Sequence, residues 1–190
     1  MTNQTRSKRQ MRGYSMLELL VVMGIISLLS AFAAPSLVGT YRNYQMDDAA
    51  TQVAGIIKFA RYEAVRQNKP LNCTITTVNG YTAMYADSNG DSVINPGEKE
   101  IKFGGTAGLV TAGSVPSAAA LNAKVQAGSL TTINPTNGSI SFDGRGAKTT
   151  AGVSVYWVGN ANYGWRAVTV MPSGSVQVWS YATGTWTQLS

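Results

Sequence analysis

The stretch that decides the fold is RGYSMLELLVVMGIISLLSAFAA, residues 12–34. Its last 21 residues, 14–34, contain a single charged side chain, Glu18. An α-helix rises about 1.5 Å per residue, so this segment would be roughly 31 Å long and would match the hydrocarbon core of one bilayer. The sequence therefore predicts a transmembrane helix over residues 14–34.

The basic residues that precede this stretch predict how the chain is oriented in the membrane. Four of them stand in residues 1–13: Arg6, Lys8, Arg9 and Arg12. Without these four, the 15 Lys and Arg fall to 11, against 9 Asp and Glu. Because positive residues beside a membrane span stay in the cytoplasm, we expect a single-pass inner-membrane protein with its head in the periplasm.

An ordinary secretory signal peptide is the simplest alternative for this N-terminus. The stretch Ala31-Phe32-Ala33 fits the small-residue pattern of a signal-peptidase site. A carboxylate within an apolar helix costs about 2.5–3.5 kcal/mol at the membrane centre and less near an end. A segment that is discarded has no need to bear the cost of Glu18, so this alternative is disfavoured.

The segment from Arg12 to Glu18 resembles the signal of type IV prepilins. In that family a dedicated peptidase cuts after the glycine, on the cytoplasmic side, and N-methylates the new first residue. The resemblance implies cleavage after Gly13 and methylation of Tyr14, which stands where the family usually has phenylalanine. Residues 1–13 would then be a leader, and Glu18 would be the fifth residue of the mature chain, where the family keeps its glutamate.

Glu18 has a physical role under this interpretation. A free α-amino group and a carboxylate in hydrocarbon each need a counter-charge. If neighbouring subunits stack with a stagger, Glu18 of one subunit neutralises the amino group of Tyr14 on the next. The simpler alternative is that Glu18 lies near the membrane interface and that its flexible side chain places the carboxylate among the polar headgroups.

The helical pattern continues past the membrane segment. Pro35 is expected to kink or interrupt the helix, and pilin-like helices often carry a proline there, which makes it a candidate assembly residue. From residue 35 to Gln67, apolar residues then recur every three or four positions: Ala49, Val53, Ile56, Ile57, Ala60 and Ala64. Asn68-Lys69-Pro70 ends this amphipathic helix.

The end of this helix carries a second family pattern. Ala60-Arg61-Tyr62-Glu63-Ala64 resembles the AR-x-EA signature of the FimT/GspH family of minor pilins and type II secretion pseudopilins. The alternative is a charged helix face with an ion pair between residues three apart. The resemblance implies a filament subunit whose partners are other pilins, the prepilin peptidase and an inner-membrane assembly platform.

Residues 68–190 predict a β-rich head, so the fold class is α+β, with a long helix packed on an antiparallel β-sandwich. Asn79-Gly80 is a hairpin signal between two of these strands. Residues 104–128, rich in Gly, Ala and Ser, are an unassigned loop or insertion. Eight strands are expected: 71–78, 81–86, 99–103, 129–133, 139–142, 153–158, 167–171 and 175–181.

The loop at residues 87–98 has the spacing of a calcium-binding loop of the EF-hand kind. Ser92 replaces the usual glycine at position 6, and Pro96 is a second departure. The alternative is a hairpin turn built by Asx side chains. A Ca²⁺ ion is the one candidate cofactor, and its candidate ligands are Asp87, Asn89, Asp91, Val93, Asn95 and Glu98.

Other kinds of function have less support in the sequence. The chain has no histidine and one cysteine, Cys73, which excludes a Ser-His-Asp site and an internal disulfide, so no enzyme is expected. DNA binding during natural transformation is the alternative function. Its candidate residues are Arg145 and Lys148, but residues 68–190 hold only seven basic and five acidic side chains. The C-terminal aromatic residues are expected to lie mostly in the core or on strand faces, and an exposed surface for stacking with single-stranded nucleic acid is the alternative.

Overall fold

The computed structural model describes residues 14–104, 107–125 and 130–189. The chain forms two compact units, with the boundary between residues 40 and 41. A single helix, α1 (Met16–Gln67), crosses this boundary, and everything after it belongs to the second unit.

Helix α1 is unbroken at residue 35. Of the expected kink or interruption at Pro35, the interruption is therefore wrong: a proline removes one intrahelical hydrogen bond, and the helical hydrogen bonding resumes beyond it. A kink at Pro35 stays a prediction. The predicted end at Gln67 is confirmed. There Asn68 adopts a left-handed φ of 50°, and the amide of Lys69 donates to the carbonyl of Ala64 at 3.2 Å, as in the usual helix C-cap.

Ten strands and a short helix follow α1 in the described residues. They are β1 (Leu71–Val78), β2 (Tyr81–Asp87), β3 (Glu100–Phe103), β4 (Leu109–Val110), α2 (Ala118–Val125), β5 (Leu130–Thr132), β6 (Ser139–Phe142), β7 (Val153–Asn160), β8 (Gly164–Val170), β9 (Val176–Ala182) and β10 (Thr185–Gln188). All eight predicted strands occur. The sequence prediction missed β4, α2 and β10.

The strands form two sheets. Sheet A has the order β3-β2-β1-β6, and sheet B has the order β10-β9-β8-β7-β4. The expected β-hairpin is confirmed: Val78 pairs with Tyr81, and both Asn79 and Gly80 have positive φ, as a type I′ turn requires. One pair departs from the antiparallel expectation, because β5 runs parallel to β7.

The hydrophobic core joins the second half of α1 to both sheets. All the apolar residues that the periodicity placed on one stripe of this helix are buried, from Ala49 to Ala64. They share one cluster with Ile75 and Ile140 of sheet A and with Val158 and Val168 of sheet B. The α+β fold with a helix on antiparallel sheets is therefore confirmed.

A second cluster lies on sheet B under the segment that the sequence left unassigned. Leu121 of α2 packs there with three buried tryptophans, Trp157, Trp179 and Trp186. The indole of Trp186 donates to the carbonyl of Ser117 at 3.2 Å. Residues 109–125 thus include a cover for an aromatic sheet face, which explains why small apolar residues are frequent in this segment.

Candidate functional site

The first candidate site is the N-terminal part of helix α1. Every described side chain from Tyr14 to Ala34 is exposed, and the helix qualifies as a candidate membrane span by length and composition. Apolar surface exposed on this scale marks contact with a membrane or with other proteins. Between Tyr14 and Tyr41 the only charged side chain is Glu18.

Tyr14 and Glu18 lie close together at the start of this helix. Both line one groove with Leu19 and Val22, and Glu18 stands in the first helical turn, where the helix dipole favours a carboxylate. Gly13 lies outside the described residues. Processing at Gly13 and Tyr14, and pairing through Glu18, therefore stay predictions.

The second candidate site is the AR-x-EA segment at the end of α1. The Nε atom of Arg61 donates to the carbonyl of Gly146 at 2.9 Å, in the loop between β6 and β7. Gly174, in the turn between β8 and β9, has a φ of 80°. A Cβ atom there would overlap the carbonyl oxygen of Gly146 and lie 2.7 Å from Arg61 Nε. Arg61 therefore holds two loops against the helix.

The sequence alone did not predict this contact of Arg61. Its signal was indirect: glycines recur in the two loops that approach the helix, at Gly144, Gly146 and Gly174, and glycine permits close backbone approach. A Cβ atom on Gly146 would lie 2.8 Å from Val65 Cγ2.

Glu63, in the same segment, forms the expected ion pair. Its carboxylate accepts hydrogen bonds from Arg66, through Nε at 2.8 Å and through Nη2, and from the side-chain amide Nε2 of Gln67 at 2.6 Å. These hydrogen bonds, that of Arg66 first and that of Gln67 second, lower the pKa of Glu63 to about 2. The ion pair between Glu63 and Arg66, three residues apart on the helix, is therefore present.

The third candidate site is the loop at residues 87–98. Asp87 accepts the amides of Gly90 at 2.7 Å and Ser92 at 3.1 Å, and Glu98 accepts the amides of Ser88 at 2.9 Å and Asn95 at 3.0 Å. Ser92 adopts a φ of 61°, so it makes the left-handed turn that was expected to need glycine.

Asp91 is the centre of the remaining hydrogen bonds in this loop. Its Oδ2 accepts the side-chain amides of Asn89 at 2.9 Å and Asn95 at 2.7 Å, and its Oδ1 accepts the amide of Val93 at 2.8 Å. The amide of Val93 first, and the side chain of Asn95 second, lower the pKa of Asp91.

The structure brings Asn89, Asp91 and Asn95 together but gives every carboxylate oxygen in the loop a donor from the loop itself. Within the described ranges, no group of three or more His, Cys, Asp or Glu side chains is arranged to hold a metal ion. The arrangement is that of a turn closed by its own side chains, and the Ca²⁺ site stays a prediction.

The two candidate nucleic-acid residues do not form a common surface. Arg145 is exposed, but Lys148 is buried, and its Nζ donates to Ser154 Oγ at 2.8 Å. Burial lowers the pKa of Lys148. The assignment of Lys148 to phosphate binding is therefore corrected, because its ammonium group lies inside the head. The expectation that the C-terminal aromatic residues lie mostly in the core is confirmed, since three of the four tryptophans are buried, and this burial argues against the alternative of an exposed stacking surface.

Two family models match the chain. The model described as Type II transport protein GspH matches residues 49–174. The model described as Prokaryotic N-terminal methylation motif matches residues 8–34. Together they cover residues 8–34, helix α1 from Ala49 onwards, and most of the head.

Individual proteins also resemble this chain. It is 35% identical over 97 residues to Pilin-like protein PilA1 of Thermus thermophilus, across 50% of this chain and 58% of that protein. The chain thus spans little more than half of that relative. A crystal structure of the type IV minor pilin FimU of Pseudomonas aeruginosa PAO1 superimposes with a TM-score of 0.48 and 12% identity, covering 76% of this chain and 93% of that one.

Proposed function

The chain belongs to the family of the type II transport protein GspH and carries the prokaryotic N-terminal methylation motif, and on that premise we propose how it works as a minor pilin or pseudopilin. It is cut after Gly13, methylated on Tyr14, held in the inner membrane by residues 14–34, and built into a filament through this same segment. Its head lies in the periplasm.

One observation carries this proposal: in the N-terminal part of helix α1, every described side chain from Tyr14 to Ala34 is exposed, and Glu18 is the one charged side chain in this apolar surface. In a membrane this surface contacts lipid, and in a filament it contacts the same segment of other subunits. Because the apolar surface is satisfied in both places, moving the subunit from membrane to filament exposes little of it to water. The partners are then other pilin subunits, the prepilin peptidase and the assembly platform.

Glu18 supplies the directional part of the assembly. Cleavage at Gly13 creates a positive amino group on Tyr14, close to the carboxylate of Glu18 along the helix. A buried charge without its partner costs several kcal/mol. A stagger between subunits that brings Glu18 of one beside the amino group of the next satisfies both charges, so it selects one packing register.

The chain acts in this proposal by assembly rather than by catalysis. Burial raises the pKa of the Cys73 thiol and keeps it protonated in the core. Lys148 is occupied by a structural hydrogen bond. Neither group is placed as an accessible nucleophile.

The processing step tests the proposal directly. Mass spectrometry of the mature chain from membranes should show Tyr14 as the first residue, heavier by one methyl group. A Gly13→Leu variant should keep residues 1–13, because the new side chain blocks the peptidase. A mature terminus at Ala34 in the native chain would contradict the proposal and point to ordinary signal-peptide cleavage.

A further inference from the structure

The exposed face of the second half of α1 carries a groove that the core does not use. It is lined by Lys58, Arg61, Tyr62 and Val65. The side chains of Tyr62 and Val65 are 64% and 48% exposed. Exposed apolar side chains on a helix whose opposite face already fills the core are available for another molecule.

The surroundings of this groove are basic. Residues 58–69 contain four basic side chains and one acidic, Glu63, whose charge Arg66 balances. The loop that carries Arg145 packs against the same part of the helix, since its Gly146 contacts Arg61. Arg145 precedes Gly146 in this loop and its side chain is exposed, while Asp143 of the same loop accepts the backbone amides of Arg145 and Ala147.

The loop at residues 87–98 has the complementary features. Residues 87–100 contain four acidic side chains and one lysine. Val93 is 60% exposed and stands two residues from the exposed carboxylate of Asp91. In the described residues, no hydrogen bond or ion pair joins this loop to the groove of its own chain.

The loop is also held in one shape before it meets a partner. The carboxylates of Asp87, Asp91 and Glu98 each accept at least two hydrogen bonds from within the loop. A segment that is already ordered loses less conformational entropy on docking. The internal hydrogen bonds therefore prepare the tip at Asp91 and Val93 for binding.

We propose that the loop at residues 87–98 of one copy docks into the helix groove of a second copy. Val93 packs between Tyr62 and Val65, and Asp91 lies beside Lys58 and Arg145. The two surfaces differ from each other, so the contact is heterologous, with the loop of one copy on the helix of the other. Its occurrence in a filament rests on the proposed function. The charges and exposed apolar side chains that form the contact do not depend on it.

Disulfide trapping in the full-length chain tests the contact. Two differently tagged copies are co-expressed, one with Val65→Cys and one with Val93→Cys. Cys73 is retained, because it is buried and inert. We expect several-fold more mixed disulfide from this pair than from Val65→Cys with Tyr81→Cys, whose position in the β1–β2 hairpin is also 58% exposed. A yield equal to this control, or a disulfide from Val65→Cys to a different protein instead, overturns the proposal.

Charge reversal separates a specific contact from random collision. Lys58→Glu or Arg145→Glu in the groove copy should lower the mixed disulfide several-fold, and Asp91→Lys in the loop copy should do the same. Combining Lys58→Glu with Asp91→Lys should restore it. Arg145→Glu changes only an exposed side chain, so it stays informative if Asp91→Lys disorders the loop. A yield insensitive to all these changes overturns the proposal.

The same cells distinguish this contact from the proposed function. A chain that is processed and enters filaments but gives only the control yield contradicts the contact and leaves the proposed function intact. A chain that gives the expected disulfide in membranes but is never processed at Tyr14 contradicts the proposed function and leaves the contact intact.

Discussion

The two halves of helix α1 share one secondary structure and differ in what their side chains contact. Residues 16–34 are exposed, whereas the second half, residues 41–67, buries a stripe from Met46 to Ala64 in the core. The difference lies in the placement of polar residues. In the first half only one position is charged, so no polar face exists. In the second half, charged residues occupy the positions between the apolar ones, which gives the helix a buried side and a solvated side.

This contrast shows that two parts of one helix can be suited to different surroundings. Apolar residues around the whole circumference suit lipid or other apolar helices, and an apolar stripe suits the surface of a soluble domain. The following predictions test whether the two halves act independently in this way.

The largest effect is expected from the charge in the first half. Glu18→Ala leaves the amino group of a neighbouring Tyr14 without its partner, which costs about 3–5 kcal/mol and reduces filament incorporation roughly a hundredfold or more. Membrane insertion should not change, because the variant is more apolar. Quantitative immunoblots of membranes and of sheared filaments measure both.

Ser27→Ala is the control for this variant. Its hydroxyl donates to the carbonyl of Met23 within the helix, so its removal leaves no unpaired charge and incorporation should match the native chain. Native-level incorporation of Glu18→Ala would contradict pairing between subunits.

The next effect concerns equal truncations in the two halves. Ile57→Ala removes a fully buried side chain and should lower the free energy of unfolding of the head by about 2–5 kcal/mol. Ile26→Ala, in the exposed half, should leave it unchanged. Urea unfolding of the full-length chain in detergent, followed by tryptophan fluorescence, reports on the head alone, since all four tryptophans lie after residue 156. Equal losses from both variants would show that the halves are energetically coupled.

The smallest effect concerns Glu63 and pH. Because the folded pKa of Glu63 is about 2 and its ordinary value is 4.5, its contribution to stability is present above about pH 4.5 and is lost as the pH falls towards 2. Glu63→Gln should therefore reduce the loss of stability between roughly pH 5 and pH 2.5, the range over which Glu63 takes up its proton. The measurement is the shift of the urea midpoint between these two pH values.

Glu100→Gln serves as the control, because the ion-pair partner of Glu100 among the described residues is the exposed Lys102. An unchanged pH dependence in Glu63→Gln would show that its hydrogen bonds to Arg66 and Gln67 are not maintained in solution.

Most of the fold followed from local patterns. The apolar run, the stripe ending at Ala64 and the Asn79-Gly80 turn each depend on neighbours close in sequence, so periodicity and turn chemistry were sufficient. The missed elements depend on distant contacts. Strand β4 has two residues and exists because it pairs with β7, and α2 is fixed by packing on tryptophans of sheet B.

The candidate sites divide in the same way. Glu63 with Arg66 was predictable, because its partner is three residues away. The burial of Lys148 was not, since its partner Ser154 and the strands around it come together only in the folded head. Arg61 was also missed as a tertiary contact: the carbonyl of Gly146 lies 85 residues further along the chain, and a helix pattern does not show which loop returns to it.

The close contact of Arg61 with the loops of Gly146 and Gly174 bears on where a tag or label can be inserted into the head. A Cβ atom at Gly146 or Gly174 would overlap its neighbours, so an epitope tag or a fluorophore attachment site at either glycine would separate these loops from the helix. The turn at Thr183-Gly184 differs: a Cβ atom at Gly184 meets nothing within 4 Å. This turn therefore has room for a label that follows the subunit from membrane to filament, provided that Gly184 itself is kept, because its φ of 82° suits glycine.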